Sequence, residues 1–195
     1  MKYISSINIK INKVLKKHKL YSLLDVAYFI LLLFGFHFVW KYWETELDFR
    51  FFSDSSILTP IFNYLTWLLF QTSNFFLEYL LKGSYIIEDK AWYFDNGGYI
   101  KIVDGCSGLK ASLQFITIIL LVRGPFKDKI WFIPAGILIL FIANIVRIIG
   151  LDLIVYFKSS FYHFTHQYVF RPFFYGVIFV LWVVWIEKFK NRRQQ

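Results

Sequence analysis

The 195 residues hold a single cysteine, Cys106, so the chain closes no internal disulfide. Acids are missing where bases are dense: residues 1–20 carry six lysines and no Asp or Glu. No glycine-rich phosphate loop is present, since Gly97-Gly98 reads as a turn. The His, Asp and Glu residues show no metal-ligand spacing, so no metal and no cofactor is expected. The first apolar run, Tyr21 to Trp40, is too long for a signal-peptide core. Lys41-Tyr42-Trp43-Glu44 follows it, with no small-x-small cleavage site, so the run is read as a retained transmembrane helix. Low-complexity linkers and internal repeats are absent.

What remains is overwhelmingly apolar. Hydrophobic residues make up 57% of the chain and aromatic residues 23%, with 24 Phe, 13 Tyr and 7 Trp. A soluble domain of this length does not carry that load with so few polar residues. The chain reads as an all-α polytopic membrane protein, residues 1–195 forming a single integral membrane domain. The net charge of +9 sits in clusters at the termini, in residues 1–20 and at Lys188, Lys190, Arg192 and Arg193. That pattern marks cytoplasmic flanks and argues against nucleic acid as a partner.

Four apolar runs, about 21–40, 107–122, 130–150 and 172–189, are long enough or nearly so to cross a bilayer. A fifth, 57–81, carries Asn63, Thr66, Gln71, Thr72, Ser73, Asn74 and Glu78. Charge decides its reading. If it does not cross, one side holds 13 Lys/Arg and the other 7 Lys/Arg with 10 Asp/Glu, a clear positive-inside arrangement. The expected architecture is therefore four transmembrane helices plus a partly embedded outer-side helix at 57–81. The turn signal Asp95-Asn96-Gly97-Gly98, between Ala91-Trp92-Tyr93-Phe94 and Tyr99-Ile100-Lys101-Ile102-Val103, adds a small extracytoplasmic β-hairpin.

With this topology several reactive groups share one depth. Cys106 starts the second span, where the helix dipole favours a thiolate. Arg147 lies near the outer end of the third span, one turn beyond Asn144 on the same face. His163 and His166 precede the fourth span, which opens at Arg171-Pro172. A histidine can take the thiol proton and return it to a leaving amine. Arginine cannot act as a base but can stabilise a thiolate or an oxyanion. Asn144 can add a donor or orient Arg147, and Ser107 stands beside the thiol. Lys110, one turn after Cys106, has three readings: it snorkels outward, binds lipid phosphate, or depresses the thiol pKa. Two other functions compete with catalysis, a non-catalytic scaffold for surface-polymer or protein export and a small transporter.

The motifs Asp104-Gly-Cys-Ser-Gly-Leu-Lys, Ala143-Asn-Ile-Val-Arg-Ile, and His166 with the aromatic final span through Gly176 resemble the exosortase/archaeosortase membrane transpeptidases, over about residues 85–190. The ending from His166 to Gly176 looks most like the exosortase F branch. The resemblance implies a cysteine protease or transpeptidase at the outer face of a bacterial plasma membrane, with residues 85–190 as its catalytic core. Cys106 would be the nucleophile, Arg147 the stabiliser and His166 the acid/base, with His163 as the alternative histidine. It implies as partners exported proteins ending in a short motif, a transmembrane helix and a basic tail, with a lipid or glycan as a possible acceptor.

Overall fold

A computed structural model of the chain describes residues 20–45 and 59–190. The basic stretch 1–19 and Arg192–Arg193, on which the inside-positive reading partly rests, lie outside the described residues. The first helix, α1 (Leu20–Thr45), stands as a unit of its own. Its stretch Leu23–Tyr42 is long and apolar enough to cross a membrane, as expected for the first span.

The second unit begins with α2 (Thr59–Leu81), which occupies the ambiguous fifth run. Thr66, Leu69, Phe70, Ser73, Leu77 and Leu81 are buried at spacings of three and four, the stripe a helix presents to a core. Asn63, Gln71 and Glu78 are exposed. The polar residues therefore divide between the two faces.

Three strands follow, β1 (Tyr85–Glu88), β2 (Ala91–Phe94) and β3 (Tyr99–Lys101), in an antiparallel meander. The expected hairpin is the β2–β3 pair, with Tyr93 opposite Tyr99. β1 is an addition. It joins β2 through Asp89 and Lys90, both at positive φ (47° and 58°), the backbone of a primed two-residue turn. Neither residue is Asn or Gly, which is why the turn gives no strong signal in the sequence. One face of the sheet is core: Trp92 and Phe94 pack with Leu69, Phe70 and Leu77 of α2 and with Ile145, Ile148 and Val155 from the fourth helix. Trp92 stacks on Phe70 at 4.6 Å, and its indole N–H donates to Asn74 Oδ1 at 3.0 Å.

A 3-10 turn, Asp104–Cys106, leads into α3 (Leu109–Leu121). At 13 residues α3 spans about 20 Å, short of the bilayer's apolar core. α4 (Phe126–Lys158) is much longer than its expected 130–150, at 33 residues or about 50 Å. The two helices run antiparallel and close together. Gly136 makes this possible, since a Cβ there would meet the Phe115 ring at 2.3 Å. Lys129, which the charge pattern places in a cytoplasmic loop, is buried, and its ammonium donates to the carbonyls of Leu120 (2.8 Å) and Val122 (2.7 Å). It satisfies C-terminal acceptors of α3 that no helical N–H can reach.

The C-terminal third of α4 carries the sheet. Asn96 Nδ2 donates to the carbonyls of Val155 (2.7 Å) and Tyr156 (2.9 Å), near the helix end. After a 3-10 turn (Ser159–Phe161), the chain runs through α5 (Tyr162–Phe164) and a π-helical segment (Thr165–Phe170). It continues into α6 (Arg171–Trp185) and a second π-helical segment (Ile186–Lys190). α6 packs back on α4 in antiparallel fashion, with Pro172 in its first turn. The stretch Phe126–Phe189 is the second that is long and apolar enough for membrane crossing. The protein is thus mainly helical and carries a small sheet. Apolar helices supply two membrane-span candidates among the described residues, against the four spans expected.

Candidate active site around Cys106

The Cys-Ser-Gly sequence has a local structural logic. Cys106 closes the 3-10 turn, its N–H donating to Val103 O at 2.7 Å. Ser107 is buried, and its hydroxyl accepts the N–H of Leu109 at 3.3 Å, satisfying one of the first donors of α3. Gly108 takes a left-handed backbone, φ 77°, where a side chain is strained. A Cβ at Gly108 would lie 3.0 Å from Asn144 Nδ2, so the glycine also admits Asn144. The half-buried, free thiol therefore stands just ahead of the first turn of α3 rather than within it.

Asn144 is wholly buried, and its amide donates to the carbonyl of Cys106 at 2.7 Å. Its donor thus holds the backbone of Cys106, while Oδ1 is left without a partner among the described residues. Arg147 follows three residues later on the same face of α4. Its guanidinium lies within electrostatic reach of the Cys106 thiol, Tyr162 and Arg171. The guanidinium carbon sits 5.3 Å from the centre of the Phe174 ring of α6. Arg147 Nε is buried, with no hydrogen-bond partner among the described residues.

The two histidines differ. His166 occupies the π-helical segment, half-buried, with its ring stacked on Tyr162 at 5.6 Å and an interplanar angle of 18°. It lies within electrostatic reach of Arg147, Arg171 and His163. His163 is exposed and pairs with Gln167, Nε2 to Nε2 at 3.0 Å. Among the described residues no hydrogen bond joins either histidine to Cys106. His166 is linked to it through Arg147 and Tyr162. Lys110 is partly buried in the first turn of α3.

Two residues of this region escaped the sequence reading. Tyr162 lies within electrostatic reach of Cys106, Arg147 and Asp152, and one helical turn before His166. Asp152 is completely buried, with no partner for either carboxyl oxygen among the described residues. Its signal was available: an acid within Gly150-Leu-Asp-Leu-Ile-Val is costly in apolar surroundings. Counting it as an outer-side charge concealed that signal. Behind the Cys-Ser-Gly turn, a small apolar cavity of about 120 Å³ opens between α2, α3 and α4, lined in part by Leu65, Ser107, Gly108, Leu140 and Phe141. Among the described residues no group of three His, Cys, Asp or Glu side chains lies close enough to hold a metal ion.

No curated protein and no solved structure matches this chain. The family model described as "Transmembrane exosortase (Exosortase_EpsH)" matches residues 12–187, which include every motif that carries the resemblance. The chain therefore belongs to the transmembrane exosortase family.

Proposed function

We propose that this chain is a membrane-embedded cysteine transpeptidase or protease, acting on the C-terminal sorting segment of exported proteins at the outer face of a bacterial plasma membrane. The observation that supports this reading best is the apposition of the lone thiol, Cys106, with the buried Arg147 guanidinium across the α3–α4 pair. Convergence of a nucleophile and a fixed cation from distant segments is what an active site requires and what packing alone does not.

In the proposed reaction His166 accepts the thiol proton, and the Cys106 thiolate attacks a peptide carbonyl near the substrate's membrane anchor. Arg147 stabilises the oxyanion with its guanidinium, whose Nε–H has no partner among the described residues. Collapse of the tetrahedral intermediate breaks the C–N bond, and His166 returns its proton to the departing amine. A Cys106 thioester remains. An acceptor amine, on a lipid or glycan, or a water molecule then attacks the thioester, giving its proton to His166 and restoring the thiol. Closure of the gap between His166 and Cys106 accompanies substrate binding, as catalytic hydrogen bonds often tighten only in the complex.

Substitution tests the proposal in cells that co-express an exported protein ending in an apolar helix and a basic tail. Cys106→Ala is expected to abolish its cleavage while the variant still inserts in the membrane. Arg147→Ala should lower cleavage by about 100-fold or more, the usual cost of losing an oxyanion donor. Full processing by Cys106→Ala would exclude nucleophilic catalysis and leave the scaffold or transporter readings.

A further inference from the structure

We propose that the free edge of β3 receives the substrate, an extended peptide segment adding to the sheet as a fourth strand beside Tyr99–Lys101. This rests on the transpeptidase reading and names how that site holds its peptide. The ladder determines which backbone groups are available. Phe94 N–H donates to Gly98 O at 2.9 Å and Ile102 N–H to Lys90 O at 3.1 Å, so these two pairs face each other across the ladder. Alternation then makes Trp92–Ile100 a bonded pair and leaves Tyr93–Tyr99 and Ala91–Lys101 as the non-bonded pairs. The N–H and C=O groups of Tyr99 and Lys101 consequently point away from β2. β3 is the last strand of the sheet, and these groups have no partner among the described residues.

Such an edge is ordinarily blunted by proline, a bulge or a projecting charge. Here β3 has no proline and a regular register. Its one charge, Lys101, is drawn back by an ion pair with Asp89 in the β1–β2 turn. The Tyr99 ring is likewise held over the sheet's solvent face, stacked on Tyr93 at 5.5 Å. Continuity with the site favours this edge over that of β1. Tyr85 of β1 turns inward to bond Asn74 at 3.1 Å, and its strand leads to α2. β3 instead runs through Val103 into the single 3-10 turn that carries Cys106. A peptide laid along β3 advances about 3.3 Å per residue, so its backbone leaves the edge over that turn. Main-chain bonds of this kind supply affinity for an extended peptide, while side-chain pockets supply selectivity.

The test uses a pentapeptide of Val and Thr with a C-terminal vinyl sulfone, and the same peptide N-methylated at alternate amides. Alkylation of Cys106 is timed in the full-length protein in detergent. The unmethylated peptide is expected to label Cys106 about 10-fold faster, the equivalent of one or two net hydrogen bonds. Tyr99→Pro and Lys101→Pro, which remove outward N–H groups that make no bond to β2, should erase that ratio. Tyr99→Ala and Lys101→Ala should keep it. Equal rates for the two peptides on the unaltered protein would overturn the proposal without recourse to any variant. Iodoacetamide separates the two levels: failure to alkylate Cys106 sinks the nucleophile reading and this one with it. Normal alkylation with equal peptide rates sinks the strand edge alone.

Discussion

At the scale of single residues, the site is organised by what Asn144 does. Proximity in sequence to Arg147 suggests a second donor for the oxyanion or a partner for the arginine. The structure directs its amide to the carbonyl of Cys106 instead, across the gap that Gly108 leaves open. Asn144 is therefore a positioning residue for the backbone of Cys106. Asn144→Ala leaves a partly buried carbonyl without its donor and a void beside Gly108. We expect a loss of about 1–3 kcal/mol of stability, read by thermal unfolding in detergent. Processing should fall together with the rate at which iodoacetamide alkylates Cys106. A variant with unchanged alkylation and normal processing would show that the amide merely fills space.

At the scale of elements, the decisive contact is between a turn and a helix end. Asn96 was legible as a turn residue, and its Oδ1 does accept the N–H of Gly98 at 2.8 Å. The same side chain reaches two carbonyls near the C-terminus of α4, which ties the sheet to the helix that carries Asn144 and Arg147. Helix ends leave such carbonyls unpaired, so a side chain that bonds two of them both caps the helix and docks the hairpin. Asn96→Ala should cost about 1–2 kcal/mol locally. Amide hydrogen exchange would accelerate in β2, β3 and the last turn of α4 while the α3–α4 contact near Gly136 stays protected. Uniform acceleration across all these segments would show that the sheet is not a separately docked element.

At the scale of the whole molecule, charge asymmetry is the organising quantity. The reading with 57–81 on the outer side gathers 13 Lys/Arg on one face and places 10 acids on the other. It predicts the accessibility of introduced cysteines in a Cys106→Ala background. A membrane-impermeant maleimide added to intact cells should label Glu88→Cys in the sheet. It should reach Lys127→Cys, in the first turn of α4, only after permeabilisation. The reverse pattern would place the sheet and the candidate site in the cytoplasm and overturn the outer-face proposal.

The sequence by itself determined the class and the parts. Apolar runs under basic termini specify a membrane protein because hydrocarbon rejects charge and unpaired backbone, and that penalty depends only on composition and order. The Asn96-Gly97 turn and the Cys-Ser-Gly motif were legible for the same reason: their backbone demands are local. Tertiary structure decided everything that depends on which groups meet. The reach of α4 to Lys158 follows from the sheet docked on its C-terminal third, and the burial of Lys129 from the open carbonyls at the end of α3. The use of Asn144 on Cys106 and the arrival of Tyr162 and Asp152 beside the site are likewise contacts between segments far apart in the chain. No periodicity encodes them, because they arise only when antiparallel helices fix the level at which one segment passes another.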